Sequence, residues 1–299
     1  MKNYGLLFAG QGAQYIGMGK DLYEEYDFVK ELYAKANAIL GYKLEDIIFK
    51  ENSLLNQTKY TQTAILVTSI AMYEVLKRKL SINPVVMSGF SLGEYTALYA
   101  SGVFSFEDVI KLVNLRANFM DEAANANQGS MAAILNPDFD ILNKVCAEVG
   151  NVWIANYNSY SQVVISGLTS SVDIVLEKLS GLKIKAIKLN VSGAFHCPLM
   201  YTAAKNFEKV LKDFTPNQPN VDIIMNYNAK PLEFSNLFEA MTKQIYMPVQ
   251  FIQTIEKMIS DYKVDNFIEI GPGKTLSGFV KRINREVETL NFENLNLKE

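Results

Sequence analysis

Residues 85–100 read VVMSGFSLGEYTALYA, and the character of the sequence changes twice within this stretch. The apolar run Val85–Met87 is typical of a buried parallel strand, whereas residues 94–100 have the composition of a helix. Gly89 and Gly93 bracket the turn between the two elements. Strand, sharp turn and helix in this order predict an α/β fold whose core is a parallel sheet.

The turn matches the G-x-S-x-G elbow, which presents a nucleophilic serine. Its two glycines permit a turn in which a Cβ atom would clash, and this turn pushes the Ser91 hydroxyl out at the N-terminus of the helix. There the helix dipole and the backbone N–H of Leu92 would stabilise a negative oxygen. We interpret Ser91 as a catalytic nucleophile and Leu92 as part of an oxyanion hole. The alternative is a turn that carries its glycines for structural reasons alone.

A serine hydroxyl needs an adjacent base to remove its proton, and His196 is the only histidine in the chain. It lies in the glycine- and proline-containing segment 191–198, which could return to the active site as a loop. We therefore predict that His196 is the base, with a hydrogen-bonded structural histidine as the alternative. No carboxylate between Ser91 and His196 stands out as a third member of a triad, and Cys197 is interpreted as a packing residue.

The segment 106–120 has the pattern of an amphipathic helix, and Arg116 falls on its apolar face. Val109, Leu112, Arg116 and Met120 are spaced by three or four residues, so the guanidinium is directed inward. A buried arginine needs an anionic partner. That partner is either an internal Asp or Glu, or a substrate carboxylate, which arginine can bind through two parallel hydrogen bonds.

Outside this core, the chain divides into a larger and a smaller unit. The pattern of residues 129–191 predicts the element order β-α-β-β-α-β, which is typical of a ferredoxin-like domain. We expect this small domain to be inserted into a large α/β-hydrolase-like domain made of residues 1–128 and 192–299. Within the large domain, further strands are predicted at residues 223–225 and 267–270.

Composition excludes several classes of function. Of 299 residues, 49% are hydrophobic and 20% are charged, as expected for a globular protein. The net charge of −3 provides no cationic field for nucleic acid or an anionic membrane. Two cysteines and one histidine cannot form a Cys- or His-rich metal site, so no metal is predicted. The N-terminus has no secretory signal and no segment is long enough to span a bilayer, which predicts a cytoplasmic protein without membrane contact.

Several motifs together resemble the malonyl-CoA:acyl carrier protein transacylase family, and the resemblance runs nearly end to end. Residues 8–14, FAGQGAQ, are similar to the opening motif of the family, in which a glutamine backbone N–H completes the oxyanion hole. The resemblance implies that role for Gln11. It further implies that Ser91 is the nucleophile, His196 the catalytic histidine and Arg116 the arginine that binds malonate.

Three other positions bear on the resemblance. Residues 247–251, MPVQF, resemble the stretch whose glutamine backbone carbonyl orients the histidine, which implies that Gln250 replaces the acidic member of a triad. Gln62 is similar to a glutamine that binds substrate in the acyl pocket, although a purely structural residue near a helix N-terminus fits equally well. Phe90 departs from the family, which usually has a histidine before the nucleophile.

The resemblance implies a reaction in fatty acid biosynthesis. A malonyl group would move from malonyl-CoA to the phosphopantetheine thiol of acyl carrier protein through a malonyl-serine intermediate, in a ping-pong sequence. No cofactor is implied, because the coenzyme A thioester is itself a substrate.

Other functions remain open from the sequence alone. A free-standing acyltransferase of a polyketide synthase would use the same residues. A serine thioesterase or hydrolase would use the same elbow with water as the acceptor. A non-catalytic scaffold for carrier proteins is a third alternative, against which the intact Ser91, His196 and Arg116 argue.

Overall fold

The computed structural model describes residues 2–295 and contains two sheets surrounded by helices. The strands in this range are β1 (Tyr4–Phe8), β2 (Pro84–Gly89), β3 (Gly129–Leu135), β4 (Val152–Ser159), β5 (Gln162–Leu168), β6 (Ala186–Lys188), β7 (Asn266–Ile270) and β8 (Glu288–Asn291). The α-helices are α1 (Lys20–Glu25), α2 (Asp27–Leu40), α3 (Leu44–Ile48), α4 (Thr58–Lys79), α5 (Gly93–Ala100), α6 (Phe106–Ala126), α7 (Phe139–Val149), α8 (Thr169–Gly181), α9 (Tyr201–Leu211), α10 (Leu237–Tyr246), α11 (Phe251–Ser260) and α12 (Thr275–Ile283).

The first sheet is parallel and has the strand order β2-β1-β7-β8. In its central strand β1, Leu6 and Phe8 pack into one hydrophobic core while Leu7 packs into another on the opposite face. A strand covered on both faces needs apolar residues at successive positions rather than in alternation, and β1 has this composition. The predicted α/β fold with a parallel sheet is therefore confirmed.

The second sheet is antiparallel and has the strand order β4-β5-β3-β6. With helices α7 and α8 it follows the predicted chain order β-α-β-β-α-β. Ala132 and Ile134 on one face of β3 join a core of their own with α7 and α8, whereas Met131 and Ala133 on the other face contact the main core. One face of the second sheet thus packs against the larger unit, and the other face is covered by α7 and α8. The domain boundaries at residues 128/129 and 191/192 stay predictions.

The prediction of a strand at residues 223–225 is wrong. Ile223 forms an isolated bridge with Met87 of β2, and Ile224 forms one with Pro231. The chain turns directly after Met225, and the N–H of Ala229 closes this turn by donating to the carbonyl of Met225 at 3.0 Å. The segment therefore lies beside β2 without extending the sheet.

Two further findings concern classes of function. Among the helices of residues 2–295, none has both the length and the apolar character that crossing a bilayer requires. Within the same range, no group of three or more His, Cys, Asp or Glu side chains is arranged to hold a metal ion.

Candidate active site

The turn between β2 and α5 has the geometry of a nucleophile elbow. Ser91 has a φ of 51°, in the left-handed region that residues with a side chain rarely adopt. A Cβ atom on Gly89 would lie 1.9 Å from the carbonyl carbon of Gly93, and one on Gly93 would lie 2.0 Å from the carbonyl oxygen of Phe8. Both glycines are therefore required by the close approach of the backbone.

His196 lies beside Ser91 although 105 positions separate them in the chain. The Oγ atom of Ser91 is 2.6 Å from the Nε2 atom of His196, and both side chains are buried. Like Ser91, His196 has a positive φ, at 55°. Strained backbone at two residues that meet is typical of a functional site, where the surrounding structure stabilises it.

The carbonyl that orients His196 belongs to Gln244, so the prediction of Gln250 in this role is wrong. The Nδ1 atom of His196 is 2.9 Å from the carbonyl oxygen of Gln244. Because a carbonyl only accepts, Nδ1 carries the proton and Nε2 presents a lone pair to the Ser91 hydroxyl. The tautomer is therefore that of a general base.

The helix ends explain why Gln244 rather than Gln250 has this role. Gln244 lies in the last turn of α10, and the residue four positions later, which would donate to its carbonyl in a longer helix, is Pro248, which has no N–H. Its carbonyl is thus available to His196. Gln250 instead precedes α11, and its carbonyl accepts from the N–H of Thr254 at 2.9 Å.

The environment keeps His196 uncharged. Burial, followed by the positive charge of Arg116, lowers the pKa of His196 from 6.5 to about 3. At neutral pH the imidazole can therefore accept a proton, and the imidazolium that results is a strong acid.

Arg116 reaches the same hydroxyl from α6. Its Nη2 atom donates to Ser91 Oγ at 3.2 Å and to Gln244 Oε1 at 3.0 Å, while Nη1 donates to Gln62 Oε1 at 2.6 Å. The guanidinium carbon lies 5.3 Å from the centre of the Tyr95 ring. Arg116 is 1% exposed.

The partners of Arg116 are neutral. Of the carboxylates in residues 2–295, none forms an ion pair with it, which argues against an internal Asp or Glu as its partner. Glu94 is buried nearby, and burial raises its pKa from 4.5 to about 8, against the opposing effects of the Asn226 N–H and of Arg116. The raised pKa favours the uncharged form of Glu94 near neutral pH, and within residues 2–295 no carboxylate lies at ion-pair distance from Arg116.

The predicted oxyanion-hole donors are available. Across residues 2–295, the backbone N–H groups of Gln11 and Leu92 have no hydrogen-bond acceptor. Leu92 is fully buried, and a buried N–H without a partner is uncommon in proteins. The side chain of Gln11 donates to Thr58 Oγ1 at 3.3 Å, which anchors the loop after β1.

A cavity of about 340 Å³ opens onto these groups. Its walls come from the loop after β1, from the second sheet and from α12. Ser91, His196, Gln11 and Gln62 line it, and Arg116 contacts two of these lining residues, Ser91 and Gln62. The structure thus brings together all the predicted site residues except Gln250.

Three residues of the site were not predicted. Gln244 has a signal in the sequence, namely the proline four positions later, which frees its carbonyl. Glu94 directly follows the elbow, but no feature of the adjacent sequence indicates that it forms no ion pair with Arg116. Asn226 contacts the elbow from a distant loop and has no signal in the local sequence.

Phe90 stands where the family usually has a histidine. The centre of its ring lies 5.4 Å from that of Phe251 and 6.2 Å from that of Phe279, so the side chain packs among aromatic rings.

The known proteins that this chain resembles are acyl transferases. Residues 6–295 match the family model described as an acyl transferase domain. The chain is 43% identical to the malonyl CoA-acyl carrier protein transacylase of Bacillus subtilis, over 97% of this chain and 93% of that protein. The crystal structure of the malonyl CoA-acyl carrier protein transacylase from Clostridium perfringens is 41% identical and superposes with a TM-score of 0.93, over 99% of this chain and 95% of that one.

A third neighbour is a malonyl-transacylase solved in complex with the acyl-carrier protein of a type II polyketide synthase. It is 34% identical, with a TM-score of 0.93, and the match covers 97% of this chain and 96% of that one.

Proposed function

The chain belongs to the acyl transferase family, among the malonyl CoA-acyl carrier protein transacylases, and on that basis we propose that Ser91 carries a malonyl group from one thiol carrier to the other. The protein is an acyltransferase of fatty acid biosynthesis whose partners are malonyl-CoA and acyl carrier protein. The observation that carries the proposal is that two groups, the imidazole of His196 and the guanidinium of Arg116, meet at the hydroxyl oxygen of Ser91. Ser91 Oγ lies 2.6 Å from the base and 3.2 Å from a buried guanidinium that has no counter-ion.

The first half-reaction acylates the enzyme. His196 Nε2 removes the Ser91 proton as Oγ attacks the thioester carbonyl carbon of malonyl-CoA. The tetrahedral intermediate then collapses, the carbon–sulfur bond breaks, and the coenzyme A sulfur leaves with the proton from His196. The products are a malonyl ester on Ser91 and free coenzyme A.

The second half-reaction reverses these steps with another thiol. His196 removes the proton of the phosphopantetheine thiol of acyl carrier protein, and the sulfur attacks the ester carbonyl. Ser91 Oγ leaves and recovers its proton from His196. Neither half-reaction needs a cofactor, since coenzyme A enters and leaves as part of a substrate and a product.

The oxyanion of both intermediates would be bound by the backbone N–H groups of Gln11 and Leu92. Their lack of an acceptor within residues 2–295 supports this role. Each donor of this kind lowers the barrier by about 3 kcal/mol.

Arg116 would bind the free carboxylate of the malonyl group. The carboxylate oxygens would replace Gln62 Oε1 or Gln244 Oε1 on the guanidinium, so that charge-assisted hydrogen bonds replace neutral ones. Acetyl has no such group and would leave the buried charge uncompensated. The selection of malonyl therefore follows from the cost of burying an unpaired cation.

The finer description of the fold is also part of the proposal. The strand order of the second sheet supports a ferredoxin-like small domain, inserted into an α/β-hydrolase-like large domain. A cytoplasmic location stays a prediction.

The test is to trap the acyl-enzyme and follow the product. Incubation with malonyl-CoA alone should add one malonyl group to Ser91, detected by intact mass and peptide mapping, and Ser91→Ala should take none. Addition of acyl carrier protein that bears phosphopantetheine should then yield the malonyl-carrier. Accumulation of free malonate in the presence of carrier would instead identify a hydrolase, and absence of any label on Ser91 would point to a scaffold.

A further inference from the structure

The elbow leaves a single backbone donor free. Within residues 90–94, every backbone N–H except that of Leu92 has an acceptor in the described part of the chain. These acceptors are Phe8 O for residue 90, Asn226 Oδ1 for residue 91, Phe90 O for residue 93 and Ser91 O for residue 94. The availability of the Leu92 N–H therefore depends on how its neighbours are held.

Asn226 holds the elbow on both sides of Ser91. Its Oδ1 atom accepts from the N–H of Ser91 at 2.6 Å, and its Nδ2 atom donates to the carbonyl of Gly89 at 2.6 Å. Asn226 is 2% exposed, so water does not compete for these bonds. One planar amide thus joins the end of β2 to the strained serine.

The backbone of Asn226 is itself fixed. Its N–H donates to Glu94 Oε2 at 2.7 Å, and its carbonyl accepts from the N–H of Gln250 at 2.9 Å. The side chain of Gln244 donates from the opposite side to the carbonyl of Ser91 at 2.6 Å. Both backbone groups of Ser91 are therefore held by side-chain amides from the segment between residues 226 and 244.

We propose that Asn226 is a positioning residue, which fixes the left-handed conformation of Ser91 and so keeps the Leu92 N–H free for the oxyanion. The inference rests on the proposed acyl transfer. The left-handed conformation of a serine is unfavourable by itself and persists only where surrounding contacts impose it. Without the amide, Ser91 would relax, and both Oγ and the Leu92 N–H would leave their reactive orientation.

The role requires a neutral group that donates and accepts at once. Aspartate has the shape of asparagine and could still accept from the Ser91 N–H, but it cannot donate to the Gly89 carbonyl when it is ionised. In its ionised form, which burial shifts to higher pH, it would also place a negative charge on the elbow that must bind an oxyanion. Asn226→Asp therefore preserves volume while removing the proposed function, and Asn226→Ala removes both hydrogen bonds.

The experiment measures the single-turnover rate at which malonyl-CoA acylates Ser91, together with kcat and KM of malonyl transfer. Because burial raises the pKa of a carboxyl, the assay is run at about pH 9, where the aspartate is ionised. There Asn226→Asp should lower the acylation rate and kcat on the order of 100-fold relative to wild type, as a small misplacement of reacting groups does, and should leave KM for malonyl-CoA nearly unchanged. Lowering the pH should partly restore the aspartate variant, because protonation removes its charge and returns a donor. The alanine variant should show no such recovery.

Asn37→Ala is the matched control. Asn37 also accepts from a backbone N–H, that of Leu44 at 2.9 Å, and donates to Glu45 Oε2 at 2.7 Å, but it does not line the cavity. It should lower the melting temperature and leave acylation unchanged.

The outcomes separate the inference from the function on which it rests. If wild-type protein takes no malonyl group, the proposed function fails. If wild type is acylated and a folded Asn226→Asp variant is acylated at the same rate at alkaline pH, or changes in KM alone, the positioning role is overturned. Should Asn226→Ala fail to fold, the nearly isosteric aspartate variant and its pH dependence still decide the question.

Discussion

Two regions of the molecule each contain an arginine and a glutamate that interact electrostatically, with opposite results. Near the C-terminal end of α4, Arg78 donates to the carboxylate of Glu74 at 2.5 Å, and the arginine side chain is 50% exposed whereas that of the glutamate is 11% exposed. Around the elbow, Arg116 is buried near Glu94, yet the two form no ion pair and the arginine donates to neutral oxygens. The first pair neutralises itself, whereas the second leaves a positive charge available.

The difference between the two regions lies in the free-energy cost of removing a guanidinium from water. The Arg78 ion pair contributes about 1 kcal/mol, because water still solvates the half-exposed guanidinium and the buried Glu74 carboxylate also accepts from the Tyr99 hydroxyl at 3.0 Å. A buried guanidinium has lost that solvation, and amide oxygens replace it only in part. Glu94 could restore neutrality, but burial raises its pKa and so favours the protonated form. This arrangement supports the proposal that Arg116 binds an anion that arrives with the substrate.

The largest effect is expected from Arg116→Ala. Loss of the guanidinium should reduce kcat/KM for malonyl-CoA about 100-fold, equivalent to about 3 kcal/mol, because the malonyl carboxylate would be buried without its partner. Acetyl transfer should be spared or raised, since the empty cationic pocket no longer opposes it. Parallel assays with malonyl-CoA and acetyl-CoA measure the ratio. An equal loss with both substrates would contradict the carboxylate clamp.

A second effect is expected in the pH dependence of the free energy of unfolding. The folded-state pKa of Glu94, about 8, lies above its ordinary value of 4.5. The contribution of Glu94 to the free energy of unfolding is therefore complete below pH 4.5 and is lost as the pH rises towards 8. His196 has the opposite sign, because its folded-state pKa of about 3 lies below 6.5. Its contribution is present above pH 6.5 and is lost as the pH falls towards 3.

Glu94→Gln should separate the two titrations. Glutamine does not ionise, so the variant lacks the loss of stability that ionisation of Glu94 causes at higher pH. Its free energy of unfolding should therefore fall less than that of wild type between about pH 5 and about pH 8. Urea unfolding at both pH values, compared with wild type, gives the measurement. On the acid side the two proteins should lose stability alike, because His196 is unchanged. An identical alkaline slope would show that Glu94 is already ionised and pairs electrostatically with Arg116.

The smallest effect is expected from Arg78→Ala. The side chain loses its ion pair with Glu74 and its contact with the Phe28 ring, whose centre lies 4.0 Å from the guanidinium carbon. Because Arg78 is half-exposed and the buried Glu74 keeps Lys77 and the Tyr99 hydroxyl as partners, the melting temperature should fall by roughly 2 °C or less. Malonyl transfer should stay at the wild-type rate. A loss of activity comparable to that of Arg116→Ala would remove the distinction between the two regions.

Sequence alone was sufficient for the parts of the site that local geometry dictates. The glycines around Ser91 indicate a turn that only glycine permits, and the spacing of apolar residues on α6 directs Arg116 inward. Both predictions follow from constraints that act within a few residues, namely steric exclusion at the backbone and the 3.6-residue period of the helix. The order of elements in residues 129–191 was recovered for the same reason.

Tertiary structure decided which distant groups meet and which charges persist. His196, Gln244 and Asn226 converge on Ser91 from separate loops and helix ends, and no local pattern specifies such contacts. The carbonyl of Gln244 was missed in favour of Gln250 because its availability depends on where α10 ends. The ionisation of Glu94 depends in turn on burial, which long-range packing creates. Local sequence determines the shapes of the elements, whereas hydrogen-bond partners and pKa values belong to the folded environment.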